Sequence, residues 1–209
     1  QNLVLLDGMT VYNVDHFFGF FSAFNASAIK DVQLYKGAFP SKYGGRLSSV
    51  VDLTGKTGNM NELHGDIGVN LLNVKAGLQI PLFGKGSIII SARRSFTDII
   101  RSQLFKDIFG IFDTEDASIA LLAENGIETT TIEPEFYFFD FNSKLSFRPT
   151  EKDNIAISLY SGKDNLLESD LLDINIPFGQ TSRDIKRDLD EKSEWGNRGI
   201  SGKWSRQWN

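Results

Sequence analysis

The chain has 209 residues and 23.4 kDa, with 22 Lys and Arg against 27 Asp and Glu, a formal charge of −5 and a pI near 5.1. That acidity excludes nucleic acid as a partner, because a phosphate backbone demands a basic footprint. The absence of cysteine removes disulfides, thiolate zinc sites and cysteine nucleophiles, though it fixes no compartment.

The longest uncharged stretch, His16 to Ile29, is interrupted by Ser22, Asn25 and Ser27. It is too short and too polar for a membrane-spanning helix. A transmembrane β-barrel escapes that test, since alternating strands have a mild mean hydropathy, and here it is −0.20. Neither end reads as a natural terminus. Leu3-Val4-Leu5-Leu6 begins at once as a buried strand, and the last residues stop inside a strand-like pattern. The expectation is a piece of something longer.

Residues 1–58 read as a compact α+β segment of short pieces. The strand Leu3 to Leu6 ends in the turn dipeptide Asp7-Gly8, and an aromatic stretch follows at Phe17, Phe18, Phe20, Phe21 and Phe24. Residues 22–31 suit one or two helical turns, and Val32 to Lys36 alternates like a strand. Gly37, Pro40, Gly44 and Gly45 punctuate a turn region before the strand Ser49 to Thr54.

From residue 62 the texture changes to long alternating strands. Leu63, Ile67, Val69 and Leu71 hold odd positions, whereas Leu72, Val74, Ala76, Leu78 and Ile80 hold even ones. A period-2 pattern that slips by one residue marks a chain reversal at Leu71-Leu72. A turn at 83–87 leads to a third strand with Ile88, Ile90 and Ala92 on one face. Residues 97–135 are read as a long connection with a helix-like piece from Asp98 to Phe109. A fourth strand places Tyr137, Phe139, Phe141 and Leu145 opposite Asp140, Asn142 and Lys144. After a turn at 149–153 a fifth strand begins at Ile155. Residues 165–194 are read as a second long, charged connection before a sixth strand from Trp195 to Trp208.

Connections 2–3 and 4–5 are short, whereas 3–4 and 5–6 are long. In an up-and-down meander, alternate connections lie at opposite ends, so short turns gather at one rim and long loops at the other. Outer-membrane barrels are built this way, from strands of about 10 residues with one apolar face. The tight 1–2 connection is the exception. Six strands cannot enclose a folded plug, which takes about 22.

The motifs in this order resemble those of the TonB-dependent receptors of Gram-negative outer membranes, most closely the Bacteroidota type. Leu5-Leu6-Asp7-Gly8 is similar to the family's Leu-Ile-Asp-Gly plug motif, departing by Leu for Ile. The run Ile29 to Gly37, with Lys36-Gly37, then Tyr43-Gly44-Gly45, then Val50 to Thr54, resembles the C-terminal half of the plug. Ala92 to Phe96 is similar to an early barrel strand.

The resemblance implies a mainly β fold. Residues 1–58 would be the C-terminal part of an α+β plug, and 59–209 the first six or so antiparallel strands of a transmembrane barrel of about 22. It implies uptake of a scarce, bulky nutrient such as a glycan, peptide or siderophore. Partners would be the TonB–ExbB–ExbD complex, a surface lipoprotein and outer-membrane lipid, with no cofactor. No counterpart of the TonB box or of the N-terminal half of the plug is present in these residues.

Several side chains carry two readings. Phe17, Phe18, Phe20 and Phe21 either line a substrate surface or pack between plug and wall. Arg46, Arg93 and Arg94 either pair with acidic groups there or are solvated. The acidic clusters Asp113/Glu115/Asp116 and Glu168/Asp170/Asp173 lack a calcium-loop pattern and read as solvated loops. His16 and His64 lack metal-ligand spacing and read as ordinary polar residues. A receptor-like barrel serving as a structural or interaction subunit of a larger surface or secretion complex has the same motifs. A soluble enzyme is disfavoured, since the chain holds no phosphate loop, Gly-x-Ser-x-Gly elbow or His-Glu-x-x-His motif.

Overall fold

The computed structural model describes residues 2–44, 48–100, 102–110, 127–178 and 181–208. The protein is mainly β. Among the described residues, no helix is long and apolar enough to cross a membrane. Contacts group the chain into two compact units, one of residues 1–95, 138–164 and 195–209, the other of residues 96–137 and 165–194.

The first unit opens with a four-stranded mixed sheet of order β2-β1-β6-β5. Its strands are β1 (Leu3–Leu6), β2 (Met9–Thr10), β5 (Ile29–Lys36) and β6 (Ser49–Gly55). β1 runs parallel to β6, pairing Leu3 with Val50 and Leu6 with Leu53. β5 and β2 are antiparallel to their neighbours. Asp7 and Gly8 both have positive φ (49° and 85°), as a type I′ turn between β1 and β2 requires. Leu6, Met9, Val11 and Leu53 form one buried cluster together with Tyr160, and Leu3, Tyr43 and Val50 form another. Between β2 and β5 lie the small hairpin β3 (Asp15–His16) and β4 (Phe21–Ser22) and a single 3₁₀ turn, Ala26–Ala28. Asn25 caps that turn by accepting from the Ser27 amide.

The second sheet is antiparallel with the meander order β12-β11-β10-β9-β8-β7. β7 (His64–Val69), β8 (Asn73–Leu82) and β9 (Gly86–Ser95) fall where the alternation places them. The phase slip is a reversal at 70–73, where the Asn70 side chain accepts from the amides of Leu72 (2.9 Å) and Asn73 (2.8 Å). The next turn carries positive φ at Phe83 and Gly84 and pairs Leu82 with Gly86. Among the described residues, neither sheet closes on itself.

Strands β10 (Ile127–Phe147), β11 (Asp153–Phe178) and β12 (Thr181–Arg206) depart from the sequence expectation. Residues 165–194 are not an irregular connection: most continue β11 and β12 as ladder. Their charges sit on strands, where backbone pairing overrides side-chain polarity, so weak propensity did not announce them. Glu168 is exposed on β11, while the Asp113 cluster lies outside the described residues.

In the second unit, α1 (Gln103–Gly110) starts later than Asp98. Ser102 accepts from the Phe105 amide at 3.2 Å and so caps the helix there, while residues 97–99 form a turn. Thr97 donates to the Phe136 carbonyl, and Ser169 donates to Asp190 at 2.8 Å.

The two faces of the six-stranded sheet have opposite character within the first unit. Odd positions of β9 and even positions of β10 and β11 face the N-terminal segment. They include Ser87, Ser91, Ser95, Asp140, Lys144, Ser146, Ser158 and Asp164, all buried. The other face presents Val74, Leu78, Phe141, Ile157, Leu159, Ile200 and Trp204 exposed, with Ile67 at 82% and Val69 at 72% on the edge strand. Glycines make room for charge on the inner face. A Cβ at Gly77 would lie 2.3 Å from an Asp66 oxygen, and one at Gly68 would lie 2.7 Å from Lys75 Cε.

Candidate functional site

The polar inner face and the N-terminal segment meet in two clusters. His16, on β3, is 2% exposed and lies between two carboxylates. Its Nε2 is 2.8 Å from Asp140 Oδ1 and its Nδ1 is 2.7 Å from Asp164 Oδ2. An ionised carboxylate only accepts, so two such partners require an imidazolium that donates from both nitrogens. Burial alone would lower the pKa. The hydrogen bonds and negative charge of Asp140 and Asp164 outweigh it and push His16 up to about 9.

Arg93 completes the cluster. Its Nε donates to Asp140 Oδ2 at 2.7 Å, and Nη2 donates both to that oxygen and to the Ser22 carbonyl. Phe138 lies beneath, stacked on His16 at 4.3 Å with the Arg93 guanidinium 5.0 Å from its centroid. Tyr160 donates to the Ala23 carbonyl at 2.9 Å. Gly162 belongs to the same packing, because a Cβ there would sit 2.6 Å from the Tyr160 oxygen. Two cations thus face two anions, with hardly any water among them.

The second cluster centres on Asp7. It accepts from Lys144 Nζ (2.7 Å), Ser158 Oγ (2.8 Å) and the Gly55 amide (3.1 Å), while its own amide donates to the Leu53 carbonyl. Lys144 also donates to the Gly55 carbonyl. Beside it is a cavity of about 20 Å³ lined by Asp7, Asn142, Lys144 and Ser158, room for one water. Two lighter contacts join the same layers: Asn25 donates to Ser91, and Lys75 donates to Ser27.

Of the sequence-derived plug-motif residues, Leu5 and Leu6 lie on β1, and Asp7 and Gly8 form its turn. Lys36 ends β5, and Gly37 leaves it with φ at +80°. Tyr43 is buried, lies tilted against the Tyr35 ring at 5.5 Å, and donates to Asp52 at 2.6 Å, a bond that holds its phenol above the usual range. Gly44 is exposed, whereas Gly45 and Arg46 lie outside the described residues.

The aromatic residues divide. Phe17 is 1% exposed, and Phe21 packs 5.3 Å from Phe138 on β10. Phe18 and Phe20 are half exposed at the hairpin tip, with Phe18 6.2 Å from Trp195. Arg93 pairs with Asp140. Arg94, on the opposite face beside Val74 and Phe139, donates to the Ser95 carbonyl. His16 was missed as a site residue, and nothing within its own sequence neighbourhood signals partners 124 and 148 residues away. His64 is exposed, near Glu62.

Among the described residues, no group of three His, Asp or Glu side chains is placed to hold a metal ion. Both nitrogens of His16 are committed to carboxylates, so what this arrangement does chemically is hold two layers together. Comparison with protein-family models, with curated proteins and with solved structures gives no match.

Proposed function

We propose that the chain is part of a TonB-dependent outer-membrane receptor of Gram-negative bacteria that imports a scarce, bulky nutrient. Residues 1–58 are then the end of the plug, and residues 59–209 the first strands of a barrel of about 22. One observation carries the reading. The six-stranded sheet buries serines, aspartates and a lysine on its inner face, among Ile89, Phe138 and Tyr160, and leaves Ile67, Val69, Leu78, Phe141, Ile200 and Trp204 exposed on its outer one. A water-soluble sheet does the reverse, while a barrel wall turns its apolar face to lipid and its polar face to the lumen.

The inner contacts support the same reading. Charge-assisted hydrogen bonds run through the contact between segment and wall, beside apolar packing on Phe138 and Tyr160, and water can replace such bonds where it reaches them. An apolar contact would lose its burial energy with nothing in exchange. The motor partner is the TonB–ExbB–ExbD complex, with a surface lipoprotein as a second partner.

Tryptophan quenching by brominated lipid tests the reading on the native protein reconstituted in vesicles. Trp204 faces outward, and Trp195 faces the N-terminal segment beside Phe18. With Trp208, which is also exposed, replaced by Phe in every variant, quenching should fall in Trp204→Phe and stay unchanged in Trp195→Phe. Equal loss in both variants, or no quenching at all, overturns the lipid-facing wall and the receptor reading with it.

A further inference from the structure

The two clusters that fasten the N-terminal segment are unequal. At the first, the His16, Asp140 and Asp164 side chains are 0–2% exposed and Arg93 is 11% exposed. Three successive strands grip the hairpin there: β9 through Arg93 to the Ser22 carbonyl, β10 through Asp140, and β11 through Asp164 and Tyr160. At the second, Asp7 and Lys144 are 13% and 10% exposed, and the cavity beside them has room for water. Water reaching an ion pair takes over its hydrogen bonds as they break. A cluster that excludes water must part with nothing to replace them.

We propose that residues 15–23 form a separately fastened staple, which the His16 cluster keeps on the sheet after the Asp7 cluster has let go. The N-terminal segment then leaves the wall in a fixed order: the β1–β2 turn first and the β3–β4 hairpin last. The titratable groups facing His16 are Asp140, Asp164, Arg93 and Tyr160, and the charges balance only while the imidazole keeps both protons. Because its pKa is pushed up to about 9, the staple stays closed at neutral pH and opens in alkali. These contacts stand whether or not the sheet lies in a membrane, so the proposal can fail without the receptor reading failing.

The chain has no cysteine, so single thiols report cleanly. Met9→Cys lies in the cluster around β1 and β2, and Ala23→Cys lies at the hairpin, both at buried positions. In the full-length protein, maleimide labelling across a urea series should reach Met9→Cys at a lower concentration than Ala23→Cys. Adding His16→Gln, or the milder Asp164→Asn where the first does not fold, should bring the two transitions together. Raising the pH from 7 to 10 should speed Ala23→Cys labelling about tenfold more than that of the exposed control Tyr12→Cys. That excess should vanish with His16→Gln or Asp164→Asn. Simultaneous labelling of both sites in the parent protein, Ala23→Cys reacting first, or an alkaline step indifferent to both substitutions overturns the proposal.

Discussion

The two sheets solve the same burial problem in opposite senses. The four-stranded sheet keeps Leu3, Leu6, Val50 and Leu53 inside and is an ordinary apolar core. The six-stranded sheet buries Ser87, Ser91, Asp140 and Lys144 and exposes Ile67, Phe141 and Trp204. Strand propensity is similar in both, so alternation alone tells the sheet period and leaves open which face meets water. What lies against each face decides that. Apolar side chains cover one another on the first sheet, with Tyr160 of β11 among them, while charges on the second are satisfied by residues 7–28 and Gly55.

The hardest test of this contrast is to remove a charge from the polar side. Asp140→Ala strands both His16 and Arg93 in a dry interior and should cost about 3–5 kcal/mol in urea unfolding. A cost no larger than an exposed substitution would mean the inner face is wet, and the contrast would collapse. The pH dependence sharpens the same point. His16 is raised from 6.5 to about 9 in the folded protein. Its stabilisation is therefore complete below pH 6.5, declines as the pH rises, and is lost above pH 9. The size is on the order of 3 kcal/mol, and it should disappear from the pH profile of His16→Gln.

The apolar side is tested by Ile67→Lys. Near the middle of a bilayer a lysine there costs about 2–4 kcal/mol in vesicle-folding titrations. For a side chain 82% exposed to water, the same change stays within about 0.5 kcal/mol. Asp66→Lys, one residue away on the inner side of the strand, should be the milder substitution in lipid. The smallest effect is local. Gly8→Ala places a Cβ at φ +85° and should cost about 1 kcal/mol by thermal unfolding, with the sheet contrast intact.

Much of the fold was legible because it is periodic or local. The slip at Leu71-Leu72 placed the reversal at 70–73, and Asp7-Gly8 announced its turn. The face pairing of Phe139 and Phe141 against Asp140 and Asn142 followed from alternation alone. The extensions of β11 and β12 through 165–194 were not legible, since a charged ladder has the composition of a loop. The helix starts at Gln103, after the Ser102 cap, because a serine hydroxyl at hydrogen-bonding distance outweighed a helix-compatible run from Asp98.

For the site, the sequence by itself determined the ingredients. It fixed an Asp-Gly turn, an aromatic stretch around a histidine, and strands with one polar face. The tertiary structure alone decided that His16 is a doubly bonded cation, and that Arg93 is paired rather than solvated. It also decided that Phe17 is buried while Phe18 is not. The reason is the range of the interactions. Alternation and turn chemistry are written in neighbouring residues. Asp140 and Asp164 reach His16 only because three strands and their connections return to it, and no local pattern records that closure.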